Sequence, residues 1–402
     1  MTWKERVMLL ILACLNFTHI LDFMIMMPLG NYLMPHFKIS TRFFSLIVAA
    51  YPMTAFLSGI IAAFYVDKFD RKKILLYAYI GFILGTICCG IAPDPYFLIA
   101  ARIVTGLFGG LIGAQVLSII ADVFPYEKRG RAMGTIFTAF SIASVFGVPF
   151  SLYLANLISW HAPFLFIGVI GGLVIPLIIK FLPAMTSHMV PLSEMRYKPD
   201  VRKVLRDMFN NKSQLMALSL SATLMLGHFL IIPFINPYLE FNLGFSKSQT
   251  PMVYMIGGAC TLVTSPILGR MADRFGKLRI FIVSLLLSLV PIFLITNMGA
   301  IPFALVLAIY ACWFVFSTGR NIPAQAMIST VVESSQRGQF MSFNSSFQQL
   351  FTGFASLIAG AIVTEAPNGS ISNYNLVGYL SMVVVSGSLY LAITLARKQS
   401  IT

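Results

Sequence analysis

The sequence predicts an all-α polytopic membrane protein, with twelve transmembrane helices arranged as two pseudo-symmetric six-helix bundles. Three observations predict it. Of 402 residues, 58% are hydrophobic and only 10% charged; apolar runs long enough to cross a bilayer recur along the chain; and features of the first half return in the second at a nearly constant offset. A hydrophobic share this large, with a mean hydropathy of +0.84, excludes a water-soluble enzyme and a disordered or collagen-like chain. A disulfide scaffold is excluded too, because the five cysteines (Cys14, Cys88, Cys89, Cys260, Cys312) all lie inside apolar runs, where a free thiol behaves as a small hydrophobe. No metal-ligand spacing joins them.

A helix needs roughly 20 apolar residues to cross a hydrocarbon layer about 30 Å thick. Runs of that length fall at 7–34, 43–66, 73–92, 96–123, 132–158 and 161–182 in the first half. In the second half they fall at 214–240, 249–270, 279–298, 302–330, 339–364 and 374–396. The first run is longer than the apolar core of a signal peptide and has no small-residue cleavage pattern, so it is read as a spanning helix.

Lysine and arginine in the connections orient the chain, since cytoplasmic loops carry the excess of positive charge. One set of breaks holds Lys4 and Arg6, the cluster Lys68 to Lys73, Lys128 to Arg131, the basic stretch 180–212, Arg270 to Arg279, Arg337, and Arg397 with Lys398. The alternate breaks hold only Lys38, Arg42 and Lys247. Both termini are therefore expected in the cytoplasm, as an even number of crossings requires. The formal net charge of +14 follows from this topology and is not taken as a nucleic-acid footprint. The longest break separates an N-terminal bundle, residues 1–184, from a C-terminal bundle, 213–402. Within the linker, 185–212, Val201, Val204, Leu205 and Met208 fall at helical spacing away from Arg202, Lys203 and Arg206, which predicts a short amphipathic helix on the inner leaflet. A solvated linker is the alternative.

An internal repeat supports the division. His19 and Pro28 correspond to His228 and Pro237; Asp67-Lys68-Phe69 corresponds to Asp273-Arg274-Phe275; and Arg129-Gly130 with Met133 corresponds to Arg337-Gly338 with Met341. Halves repeated in the same orientation are expected where a central site forms between two rocking bundles.

These residues resemble the major facilitator superfamily, most closely its bacterial drug/sugar proton-antiporter (arabinose-efflux-permease-like) branch. The family's loop signature, Gly-x-x-x-Asp-Arg/Lys-x-Gly-Arg/Lys, is met by Gly269, Asp273, Arg274, Gly276 and Lys277. In the first half Asp67, Lys68, Arg71 and Lys72 are in place, while Ala63 and Asp70 stand at the two glycine positions. Arg102-x-x-x-Gly106 resembles the family's fourth-helix motif. Gly147-Val148-Pro149 resembles part of its antiporter motif, with Phe150-Ser151 in place of the trailing glycines. The resemblance implies a gating role for Gly147 and Pro149 and for the loop residues. Physically, Asp67 and Asp273 can pair with cations and helix N-terminal amides, a latch holding in one state and breaking in the other.

An ionised residue at the centre of a spanning helix costs roughly 2.5–3.5 kcal/mol on insertion scales, so each one retained is a functional candidate. At 1.5 Å per residue, Asp22 lies ~20 Å and Arg102 ~20–25 Å from the inner surface, close enough in depth to be expected to pair. Asp22, His19 and Arg102 are therefore the candidate proton-coupling residues; a static ion pair between the first and fourth crossings is the plainer reading. Polar stripes on other helices should face the interior, because amides in hydrocarbon need partners. This gives Asn16, Gln115, His228, Asn236, Arg320, Asn321, Gln325, Asn344 and Gln348 as candidate substrate-binding residues, with interhelical glue as the competing explanation. Gly106, Gly109, Gly110 and Gly113 read as close-packing positions.

The interior is net positive, with Asp22 as its lone deep acid, which favours a neutral polar or anionic amphipathic solute. The function expected is a secondary active transporter working by alternating access, as a proton-driven efflux antiporter. A proton symporter or facilitated importer stays open beside it. No enzyme activity, catalytic residue, cofactor or metal site is expected. The partners are a small-molecule substrate, protons and the lipid bilayer, and the chain is expected to act as a monomer in the bacterial cytoplasmic (inner) membrane.

Overall fold

The computed structural model describes residues 2–65, 69–124, 126–186, 206, 210–332, 337–366 and 369–399. Helix α1 (Trp3–Ile25) opens with Thr2 and Glu5 bonded reciprocally, side chain to backbone amide, which satisfies two of the amides that every helix start leaves free. The apolar run continues to residue 34, but the helix does not. Pro28 has no amide hydrogen and crowds the preceding turn, so the chain bends and restarts as α2 (Gly30–Phe37). Next come α3 (Thr41–Tyr65), α4 (Arg71–Gly90, capped by Asp70) and α5 (Pro95–Val123, capped by Asp94). Helix α6 (Tyr126–Ile142) passes through a π turn, Ala143–Gly147, into α7 (Val148–Leu157). Pro149 leaves the Val145 carbonyl without its helical donor, the local cause of that turn. Helix α8 (Ala162–Phe181) completes the first half.

The second half repeats the plan. Helix α9 (Lys212–Phe229, capped by Asn211) breaks into short turns, Ile232–Phe234, Ile235–Pro237 and Tyr238–Asn242, where Pro233 and Pro237 occupy the region equivalent to Pro28. Helices α10 (Thr250–Phe275), α11 (Lys277–Thr296), α12 (Phe303–Ser329), α13 (Arg337–Ile362) and α14 (Tyr374–Gln399) follow. A two-residue antiparallel ladder, β1 (Thr364–Glu365) with β2 (Ile371–Ser372), closes the connection between α13 and α14. Among the described residues eleven segments are long and apolar enough to cross a membrane. The twelfth crossing is α13, whose 26 residues suffice in length and whose row of Asn344, Gln348, Gln349 and Thr352 lowers its apolar content. The fold class is thus the one expected. Of the linker helix, Val201, Val204, Leu205 and Met208 lie outside the described residues.

The hydrophobic core divides unevenly between the two faces. Toward the face that holds the α2, 232–245 and β1–β2 segments, one continuous cluster joins both halves: Leu21, Phe44, Leu152 and Phe164 pack in it with Phe234, Tyr254, Ile292 and Val363. Toward the face that holds the chain termini there are two clusters. One is drawn from the first half (Leu12, Tyr79, Ile112, Ile178) and one from the second (Leu218, Leu285, Met327, Leu395), with Ile60 of α3 packed against the latter. The halves are therefore welded at one face, here called the seam, and separately cored at the other, where α3 and α13 carry the contact through Phe56 and Phe347, rings 6.2 Å apart.

Candidate functional site

The seam follows the repeat. Asn31, fully buried, donates to the Glu240 carboxylate across the halves, and these residues stand 209 apart in sequence. Asn236 donates to the Pro28 carbonyl at 2.9 Å, a separation of 208. Asn31 and Glu240 are equivalent at the offset that relates Pro28 to Pro237, and Pro28 meets the neighbour of its own equivalent, so the seam follows the pseudo-two-fold relation of the halves. Thr250 Oγ1 also reaches Glu240 at 3.4 Å, Lys247 Nζ lies 4.3 Å from the centre of the Tyr32 ring, and Thr41 bonds the Val363 carbonyl at 2.7 Å. Pseudo-dyad contacts of this sort can hold one face shut.

Below the seam, α1, α4 and α5 bring three polar groups together. Arg102 Nη1 donates to Asp22 Oδ2 at 2.7 Å, both side chains being at most 1% exposed. Thr86 Oγ1 donates to the other carboxylate oxygen at 3.1 Å. The guanidinium carbon stands 4.6 Å from the centre of the Tyr51 ring, whose hydroxyl meets His19 Nε2 at 2.8 Å. The pairing expected from helix depth is present. It is possible because α5 lies unusually close to α3: a Cβ on Gly106, Gly109 or Gly110 would collide with Tyr51, Thr54, Ala55 or Ser58, whereas Gly113 faces open space. Small residues here let α3 deliver Tyr51 beneath the ion pair.

In the second half Arg320 is fully buried on α12 and has one hydrogen bond, from Nη1 to Ser288 Oγ at 2.9 Å; its Nε and Nη2 have no partner among the described residues. His228 stacks on Trp313, ring centres 4.8 Å apart and 16° from parallel. Gln348 donates to Ser221 Oγ at 2.7 Å, joining α13 to α9. Gln115 Oε1, Asn321 Oδ1 and Asn344 Oδ1 are buried without partners among the described residues, and Gln325 is half-buried. Asn16 reaches the Ile136 carbonyl at 3.3 Å, a helix-to-helix contact, and Asn236 belongs to the seam.

The loop signature lies at the terminal face. Gly276 ends α10 and starts α11 with φ +96°, a conformation that a Cβ penalises. This is the physical reason for a glycine at that place in the motif. Asp273 and Arg274 are exposed, the guanidinium carbon 5.3 Å from the Phe275 ring centre, and Gly269 faces open space. In the first half Asp70 replaces a motif glycine and is used differently: its Oδ1 accepts from the Lys72 and Met185 amides, both at 2.9 Å, while Lys72 Nζ bonds the Ile179 carbonyl. Arg71 is buried beside this junction. Asp67 and Lys68 lie outside the described residues. Gly147 packs against Leu21 within the π turn, and the backbone of Ser144 and Val145 in the same turn abuts Gly258 of α10 across the halves.

The family model of the Major Facilitator Superfamily matches residues 12–234 and again 217–399. The chain belongs to the major facilitator superfamily. Among superfamily relatives, the Bacillus subtilis transporter YceJ, itself uncharacterised, is 22% identical over 389 residues, covering 95% of each chain. The inner membrane transport protein YdhP of Escherichia coli O157:H7 is 25% identical over 360 residues, 88% of this chain and 87% of that one. Of solved structures, a D-xylose–proton symporter superposes with a TM-score of 0.76 at 16% identity, covering 96% of this chain and 97% of that one. A bacterial homologue of the human lysosomal transporter Spinster gives 0.76 at 15%, covering 99% and 98%. Superfamily members are multi-pass membrane transporters that bind small-molecule substrates, and those functions are this chain's as well.

Reading single residues for charge and polarity passed over Asn31, Glu240, Tyr51, Thr86, Ser288 and Trp313. For the first two a signal was available: their separation is the repeat offset. For the others there was none, since a Thr, Ser, Tyr or Trp in an apolar run is ordinary.

Proposed function

We propose that this chain is a proton-coupled efflux antiporter of the bacterial cytoplasmic (inner) membrane, both termini inside, acting as a monomer on a small neutral polar or anionic amphipathic solute. The bundles 1–184 and 213–402, joined by the linker 185–212, rock about the central site, with the seam facing outward. The observation that carries the reading is the Asp22–Arg102 pair, buried to at most 1% exposure with His19 one hydrogen bond from the Tyr51 ring beneath it.

A carboxylate between a guanidinium and a threonine hydroxyl is a proton acceptor whose charge state sets the local field. When it is protonated, Arg102 loses its counter-charge and must find another partner; when it is ionised, the pair holds α1 to α5. Protonation and deprotonation at this place tie the bundle geometry to the proton gradient. The separate cores at the terminal face and the joined core at the seam support reading this conformer as inward-open, with Asp273 and Arg274 out of the latch that would close that face. The driving force is about 2.3 kcal/mol per charge per 100 mV.

Phe150 and Ser151, in place of the motif's trailing glycines, favour a second reading, a proton symporter or facilitated importer. Right-side-out vesicles separate the two, using a solute first identified by thermal shift. An imposed proton gradient, acid outside, expels the solute if the chain is an antiporter and accumulates it if it is a symporter. Asp22→Asn should abolish uphill movement while leaving exchange; uphill transport unchanged in that variant removes Asp22 from the mechanism.

A further inference from the structure

The two buried arginines are treated differently by the fold. Arg102 has Asp22; Arg320 has no acid among the described residues. Every described acidic side chain is engaged or remote from it. Asp22 is paired, Asp70 and Asp94 cap helices, Glu240 is held at the seam, Glu5 closes the first turn of α1, and Asp273 and Glu365 are exposed at opposite faces. A guanidinium out of water is tolerated when something anionic or strongly accepting completes its hydrogen bonds.

Its neighbours on α12 share the deficit. Tyr310, Trp313, Ser317 and Arg320 recur every three or four residues on the buried face of the helix, and the Tyr310 hydroxyl, Trp313 Nε1, Ser317 Oγ and Arg320 Nε and Nη2 all lack partners among the described residues. Indole and guanidinium nitrogens can only donate. The helix therefore presents a ladder of idle donors ~15 Å long at 1.5 Å per residue, with a cation at its deep end and the flat Trp313–His228 stack beside it. The Tyr310 and Ser317 hydroxyls can also accept, but the indole and guanidinium nitrogens cannot, and the buried positive charge of Arg320 disfavours a cationic solute. The set matches an acceptor-rich anion attached to a planar apolar body.

We infer that α12 forms the substrate's anchoring subsite, with Arg320 binding the carboxylate of an aromatic organic monoanion and the Trp313–His228 stack carrying its ring. This rests on the transport reading above and narrows its substrate to an anion. The Asp22–Arg102 pair is left for coupling, so anchoring and coupling are divided between the two halves.

The test uses the purified full-length protein in detergent and three probes of one shape: 3-phenylpropionate, its neutral amide and 3-phenylpropylamine. Thermal shift and quenching of tryptophan fluorescence report binding without requiring transport. The carboxylate should stabilise the protein and bind at least tenfold more tightly than the amide, with the amine weakest. Arg320→Gln should remove that preference, and Arg320→Lys should restore part of it. Equal binding of carboxylate and amide to the unaltered protein overturns the inference, needing no variant to fold. So does an equal response to sodium chloride at the same concentration, or a charge preference that persists in Arg320→Gln. A carboxylate that binds with the predicted preference yet never crosses a vesicle membrane contradicts the transport reading and leaves the subsite standing.

Discussion

Breaking the Asp22–Arg102 pair from one side should cost far more than removing it altogether. At an effective dielectric constant of about 20, two unit charges 2.7 Å apart attract by about 6 kcal/mol, a gross figure from which the desolvation of both groups subtracts. Truncating one partner leaves the other desolvation cost unmatched. Asp22→Leu strands a guanidinium that is 1% exposed and Arg102→Leu strands a carboxylate that is fully buried, so each should destabilise the fold by about 3–5 kcal/mol. The double variant, with two leucines in their place, should lie within about 1 kcal/mol of the parent or exceed it. Thermal unfolding of the four purified proteins in one detergent completes the cycle. Strict additivity, with the double variant as unstable as the two single losses combined, would refute the idea that the pair is a buried, mutually compensating unit. Transport should be lost in all four proteins except the parent, because stability can be recovered without the titratable acid.

Three further outcomes are expected. Glu240→Ala removes the seam acceptor of Asn31 and Thr250, two hydrogen bonds worth about 0.5–1.5 kcal/mol each; the form open at the seam face should grow about 5- to 150-fold relative to the parent, read as thiol labelling of an Asn236→Cys probe, and unchanged labelling would show that the seam is not a gate. Gly276→Ala places a Cβ at φ +96° and should lower stability by about 1 kcal/mol or more, measured by thermal unfolding, whereas Gly269→Ala, facing open space, should be close to neutral in the same assay. Gly110→Val drives a branched side chain into Ser58 and the Ala55 carbonyl, so it should cost about 1–3 kcal/mol and displace Tyr51 from Arg102; a folded, fully active variant would argue against the close α3–α5 packing.

What could be read from the sequence was set by the solvent. A single segment satisfies its own backbone in hydrocarbon only as a helix, so crossings followed from the length of the apolar runs, and a fixed rise per residue placed Asp22 and Arg102 at similar depths before any contact was known. Proline chemistry was as legible, yet the run through Pro28 hid a bend, because apolar content continues across a break that only the missing amide betrays. Helix α13 shows the reverse case: its polar row dilutes the apolar signal although it is a full-length helix packed along α3. Polar side chains were harder to place. Asn16 and Asn236 looked the same as Gln348 or Asn321 along their helices, and only the fold shows that the first two bond carbonyls of neighbouring segments while Asn321 keeps an idle oxygen. Glu240 sits near a helix end in sequence; the turns forced by Pro233 and Pro237 bring it onto the pseudo-dyad opposite Asn31. The reverse holds for Arg320, conspicuous in sequence as an intramembrane cation, whose want of a counter-ion becomes evident only when every described acid has been located.

Alternating access requires the two halves to tilt so that one face closes as the other opens. Spin labels at Lys38 and Glu365 on the seam face, and at Lys73 and Arg279 on the terminal face, all exposed positions, report both separations by pulsed dipolar spectroscopy in nanodiscs. Two populations are expected whose seam and terminal distances change in opposite senses, with the short-seam, long-terminal form matching the conformer described above and its share moving with pH in the parent but not in Asp22→Asn. Distances that stay fixed at both faces, or that widen and narrow together, would contradict alternating access.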